Sequence, residues 1–182
     1  MGMRKRAFLF CALAACALAV SAQSYSLRSN ILGLATTNLN LEASMTLNRK
    51  WSLHLPVQYN PFKFGSNRQF RNFYAAPGAR YWLLESYMGG FIGMYGTAGM
   101  YSVGNLFGSK YRYEGEGYGV GLSVGKAYQI GRRWNLEWEG GAGAVWLAYD
   151  KYLCKRCGDL VDSDYGWHFL PTRAALNLVY LF

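Results

Sequence analysis

Ser52 and His54 stand two residues apart in the segment Trp51–Tyr59, and Glu42 lies in the segment just before it, Leu39–Leu47. A hydroxyl, an imidazole and a carboxylate are the parts of a nucleophile, its general base and the group that orients the base. If both segments are strands of one hairpin, residues two apart face the same way and the three side chains share a face. Arg80, Glu137, Glu139 and Arg173 fall on that same face in later segments. Two chemistries follow from this set. One is hydrolysis by Ser52, His54 and Glu42. The other, which leads, is an interior in which carboxylates and guanidiniums neutralise one another, because an unpaired buried charge is very costly.

Cys154 and Cys157 form a C-x-x-C pair around Lys155 and Arg156. In an exported chain this spacing reads as a disulfide closing a tight surface loop. A zinc site would need two more ligands, with Asp159, Asp162 and His168 as candidates, but the spacing matches no strong metal motif. Redox activity would need a thioredoxin-like setting that the neighbouring sequence lacks. No motif calls for a cofactor. Phe62, Lys63, Phe64, Arg68, Phe70 and Arg71 crowd one connecting stretch, and Phe107, Lys110, Tyr111 and Arg112 another. Rings beside guanidiniums have the composition of binding hot spots. The same residues suit anchoring at a membrane surface, with rings at headgroup level and cations near phosphates.

The elements that position these residues follow from composition and period. The chain has 182 residues, 52% hydrophobic, 17% aromatic and only 16% charged, with 22 Gly and 15 Tyr. Its mean hydropathy of −0.04 leaves no repeated apolar runs of the kind membrane helices need. High hydrophobicity with few charges also excludes disorder. At the N-terminus Arg4, Lys5 and Arg6 precede the apolar run Ala7–Val20 and the small residues Ser21 and Ala22, the pattern of an export signal. Cleavage after Ala22 gives a mature chain over residues 23–182; a cut before Cys16 would give a lipoprotein instead. The signal carries away three of the net +9 charges. Export removes nucleic acid from the partners and favours outer-membrane lipid and lipopolysaccharide phosphates.

Past the signal the sequence alternates with a period of two. Leu39–Leu47 and Trp51–Tyr59 are joined by Asn48, Arg49 and Lys50 alone, a hairpin. Arg28–Ala35, Phe73–Trp82, Met88–Tyr101, Tyr113–Tyr128, Trp134–Tyr149 and Trp167–Phe182 bring the count to eight. Short connections at one end and long ones at the other (Asn60–Asn72, Ser102–Arg112, Asp150–Gly166) predict an all-β fold, an eight-stranded antiparallel transmembrane β-barrel after a cleaved signal peptide. Tyr118, Val120, Leu122 and Val124 are expected outside, with small residues such as Gly117, Gly119 and Gly121 inside. Trp51, Trp82, Trp134, Tyr128 and Phe182 would belt the short-turn end, and Tyr59, Phe73, Tyr101, Tyr113 and Trp146 the other. A soluble lipocalin-like barrel, with the apolar face inward, is the alternative. Pro56 and Pro77 fit neither arrangement, since each removes a ladder hydrogen bond.

Terminal Phe182, with apolar residues at every second position before it, resembles the insertion signal of outer-membrane barrels. Asn40–Leu55, Tyr59-Asn60-Pro61-Phe62, residues 77–82, residues 132–137 and Tyr149–Gly158 resemble an uncharacterised family of small outer-membrane proteins of Bacteroidota. That resemblance implies a setting beside fimbrial or surface-adhesin genes and carries no catalytic residues. The leading expectation is a non-catalytic surface barrel whose long loops bind a surface or fimbrial protein. A lipid A-remodelling hydrolase and a narrow channel are the alternatives.

Overall fold

The computed structural model describes residues 25–64, 68–104, 111–153 and 160–182. The expected export signal, Cys154, Cys157, Asp159, Phe107 and Lys110 lie outside the described residues, and of Lys63, Phe64 and Arg68 only the backbone is described.

The alternating segments become strands: β1 (Tyr25–Asn30), β2 (Leu39–Asn48), β3 (Trp51–Asn60), β4 (Lys63–Phe64), β5 (Arg68–Ala75), β6 (Gly78–Trp82), β7 (Gly89–Gly104), β8 (Arg112–Gln129), β9 (Trp134–Tyr152) and β10 (Leu160–Leu181). They form one antiparallel sheet, and because β1 pairs with both β2 and β10 the sheet closes into a ring. Leu41, Leu53, Val120 and Leu122 are exposed on its outer face, whereas Arg28, Glu42, His54 and Arg80 are buried on its inner face. Polar-in and apolar-out is the reverse of the lipocalin-like alternative. Small residues of β8 make room for large neighbours: at Gly121 a Cβ would stand 2.6 Å from the Tyr95 ring.

The first strand is not Arg28–Ala35. It runs over Tyr25–Asn30, and Ile31–Ala35 forms a short helix, α1. Asn30 makes the switch, because its side chain accepts the Leu32 N–H at 3.1 Å and so caps a helical turn. The fourth segment is also two strands. β5 and β6 lie end to end between β3 and β7, and both unexplained prolines sit at their joint. The Pro56 carbonyl accepts from Ala76 at 3.2 Å. A strand residue's N–H and C=O face the same neighbour, so the donor that Pro56 lacks would point into the break. Pro77 lies in the break itself, its carbonyl accepting from Gly96 at 2.9 Å.

Strands also consume much of the expected long loops. β7, β8, β9 and β10 have 16, 18, 19 and 22 residues, against 6, 10 and 10 for β1, β2 and β3. One wall of the ring therefore rises beyond the other. Phe70, Arg71 and Arg112 are strand residues, not loop residues, opposite Val103, Ser102 and Gly104.

Candidate functional site

Inward positions of β1, β2, β3, β6, β9 and β10 converge on one charged cluster. Glu137 is its hub, accepting at Oε1 from Arg28 Nη1 at 2.7 Å, Arg80 Nη1 at 3.0 Å and Asn177 Nδ2 at 3.3 Å. Arg80 Nη2 donates to Glu139 Oε2 at 2.5 Å and lies 3.2 Å from Glu42 Oε1. Arg173 Nη1 donates to the other Glu139 oxygen at 2.9 Å, and Arg28 Nε lies 3.5 Å from Glu42. Arg28, Arg80 and Arg173 thus balance Glu42, Glu137 and Glu139. Such a set is held by mutual pairing, since removing one partner strands the others without water.

The structure also brings the expected Ser52, His54 and Glu42 into a row. The Trp82 indole N–H can only donate, so Ser52 Oγ accepts it at 2.7 Å. That leaves the Ser52 proton for His54 Nε2 at 2.6 Å, and the Nδ1–H for Glu42 Oε1 at 2.8 Å. These are the contacts of a nucleophile, base and orienter. However, Ser52 and Trp82 both have 0% exposure. No face of the hydroxyl is open to a substrate, and the row acts as a hydrogen-bonded strut between the charged cluster and the packing beneath it.

That packing closes the short-turn end. Trp82, Tyr87, Phe91, Ala127, Val179 and Leu181 form an apolar cluster inside the ring. Trp82 therefore does not belong to the outer belt; its ring meets Phe91 at 4.8 Å between centroids and Tyr87 at 5.7 Å. Tyr87 enters from the turn after β6 with φ 67°, a conformation costly for a residue with a Cβ. Its hydroxyl bonds Ser44 at 2.9 Å and its carbonyl accepts from Asn135 at 2.7 Å. The remaining belt residues, Trp51, Tyr128, Trp134 and Phe182, are exposed on the outer face. Phe182 packs on Tyr180 and donates its N–H to Tyr25 at 3.0 Å. In the turns below, Arg49 donates to the Glu85 carboxylate, a hydrogen bond that raises the guanidinium pKa above its ordinary value.

Above the cluster the interior opens. A cavity of about 340 Å³ lies among Gln58, Asn72, Tyr74, Thr97 and Thr172, and one of about 610 Å³ lies at the long-loop end among Asn60, Tyr101, Glu114, Tyr149 and Asp164. Among the described loop candidates, Phe62 and Arg71 are exposed, Tyr111 stacks under Lys151, and Arg112 is taken by Glu114 at 3.3 Å and by the Tyr152 ring. Among the described residues no group of three His, Cys, Asp or Glu side chains could hold a metal ion.

Sequence reasoning missed Arg28, Ser26, Ser44, Tyr87 and Asn177 as members of the interior. For Arg28 the signal was present: Ser26 and Arg28 alternate with the apolar Leu27, a phase visible once the strand is started at Tyr25.

Fold and site together define a class, a closed antiparallel ring with an apolar outside and a charge-balanced, internally bonded core. By sequence the chain belongs to the family described as protein of unknown function (DUF3575), which matches over residues 7–182. No curated protein and no solved structure matches it.

Proposed function

We propose that this chain is an eight-stranded outer-membrane β-barrel, non-catalytic and closed to solutes, whose outer end binds a partner at the cell surface in support of surface-appendage assembly or envelope integrity. The eight staves follow if β5 and β6 share one position and β4 is a flap on β5. The observation that carries the reading is the inversion of polarity: Leu122, Val120 and Phe169 are 63%, 65% and 82% exposed, while Arg28, Arg80 and Glu137 are 1% exposed. In water the exposed apolar face would cost stability; in lipid that cost disappears. The ten-residue strands β2 and β3, tilted by about 40°, span about 25 Å, the height of an apolar barrel band. The link to surface appendages rests on the sequence resemblance alone.

The test is cross-linking on intact cells, followed by recovery of the protein from outer-membrane extracts. A heat-modifiable barrel that co-purifies with one stoichiometric surface protein supports the reading; a periplasmic or soluble protein refutes it. The contacts of the row Ser52–His54–Glu42 leave a second reading, a lipid A-remodelling hydrolase, which requires the buried Ser52 hydroxyl to be uncovered. His54→Ala that leaves assembly intact but alters the lipid A mass spectrum would establish it.

A further inference from the structure

β10 has 22 residues, but β1 covers only Asn177–Leu181 of one side, while β9 lines the other side almost to its end. Which backbone groups are left over can be worked out from the register. Even-numbered residues of β9, such as Trp134, whose carbonyl accepts from Ile130, turn their backbone groups toward β8. In an antiparallel pair the residue opposite such a position turns its own groups away. Those opposite residues are Ser163, Tyr165, Trp167, Phe169, Pro171, Ala174 and Leu176, the phase stepping by one at the bulge between Pro171 and Arg173. Asn30 closes the lowest part of this edge, its side chain donating to the Ala174 carbonyl at 3.3 Å and accepting the Leu176 N–H at 3.2 Å. Pro171 has no N–H to leave unpaired, the residue type suited to an edge.

Above it the edge is open. Among the described residues, nothing accepts the N–H of Trp167 or Phe169, and the Tyr165 N–H is met only by the carboxylate of its neighbour Asp164, at 2.8 Å. Trp167 stands in a row with Trp146 and Tyr118 across the outer face. If that row is the outer aromatic girdle of the proposed barrel, the open edge begins at the membrane surface and rises out of it. Exposed backbone edges of this length are templates for strand addition.

We infer that the edge Ser163–Phe169 of β10 is a docking edge on which an extended segment of a partner protein adds as a further strand. The inference rests on the membrane-barrel reading and gives its surface partner a chemistry. The outward side chains Tyr165, Trp167 and Phe169 are exposed, and an added strand must present apolar residues beside them. The inward ones include Asp162 and Asp164, exposed and without an ion pair among the described residues, so the alternate positions of that strand are cationic. A second copy does not fit. Two copies in one membrane share their orientation, and strands tilted by about 40° across a two-fold along the membrane normal cross instead of lying side by side.

The experiment uses the full chain folded in zwitterionic micelles and a fluorescent, end-blocked heptapeptide of alternating valine and lysine, read by anisotropy. The comparison probes are the same peptide N-methylated at alternate amides and a valine–glutamate analogue. Phe169→Pro deletes an edge N–H that the β9 ladder does not use, and Phe169→Ala controls for the ring. Loss of such hydrogen bonds predicts affinity lower by about tenfold for N-methylation and for Phe169→Pro relative to Phe169→Ala. The glutamate peptide should bind more weakly than the lysine one. Absence of binding, or binding indifferent to N-methylation and to Phe169→Pro, overturns the inference while a heat-modifiable band shows the barrel intact. A chain without that band overturns the barrel reading with it.

Discussion

Replacing Glu137 by Gln should show whether the interior is a dry, charge-balanced plug. Glu137 Oε1 accepts from Arg28, Arg80 and Asn177. The substitution leaves Arg28, Arg80 and Arg173 facing only Glu42 and Glu139. Removing one partner from a buried ion pair costs about 3–5 kcal/mol. The Gln oxygen still accepts one hydrogen bond, which places the expected loss near the lower end, about 3 kcal/mol. With a urea dependence of about 1–3 kcal/mol per molar, the unfolding midpoint moves down by about 1–3 M. Trp82, in the cluster beneath the charges, makes fluorescence in lipid vesicles a suitable readout. Adding Arg80→Met restores the balance, with Arg28 left to Glu42 and Arg173 to Glu139. The double variant should therefore lose less than the sum of the singles, by about 0.5–3 kcal/mol. Arg49→Ala, which removes a pair 86% and 54% exposed, is the control and should leave the midpoint in place. Strict additivity, or a Glu137→Gln shift no larger than that control, would mean that the charges sit in water and that the plug argument is wrong.

Leu122→Arg places a charge at mid-height on the outer face, where a lipid environment costs about 2–4 kcal/mol; unchanged stability in vesicles would argue against insertion. Gly121→Val drives a side chain into the Tyr95 ring and off its 2.5 Å contact with Thr172. Overpacking of about 1–3 kcal/mol should lower the yield of the heat-modifiable form, whereas Gly140→Ala, with no atom within 4 Å of its added carbon, should not. Ser52→Ala leaves the buried Trp82 N–H without its acceptor, a loss of about 1–3 kcal/mol measured by the same urea titration. The strut reading expects lipid A to be unaltered in that strain, and a changed lipid A mass would favour the hydrolase.

The hairpin of β2 and β3 was legible because ten-residue strands with bulky apolar residues at every second position state their phase outright. The charged cluster was legible for the same reason, except for Arg28, whose strand is six residues long and ends in a helix cap. Trp82 shows a different failure. Arg80 and Trp82 are two apart on β6, so placing Arg80 inside already placed Trp82 inside, against the outer belt suggested by residue type. Aromatic identity says little about side; phase decides it. The bulge near Thr172 is the opposite case. Leu178 and Trp167 both face outward only because the register shifts between them, and no residue pattern announces that shift. The lengths of β7–β10 were hidden in the sequence by the polar and aromatic residues of their far halves, which resemble loops.

The two seals of the interior are mechanically one body, and that constrains where the protein can act. Tyr87, from the apolar packing, bonds Ser44; Ser44 bonds Ser26 at 2.6 Å, and Arg28 donates to both serines at 3.3 and 3.4 Å. Trp82 reaches the charges by the separate route through Ser52 and His54. To open a path, Tyr87 would have to leave while Arg28 lost its serines, and Trp82 while Ser52 lost its donor, each step stranding a buried polar group. Neither seal can yield alone, so moving a single side chain aside would strand polar groups in both. The cavities of 340 and 610 Å³ and the uncovered edge of β10 all lie on the other side of these seals. On the proposed reading, a fold that stiffens one end so heavily while extending four strands past the other would hold that far end out as a rigid surface.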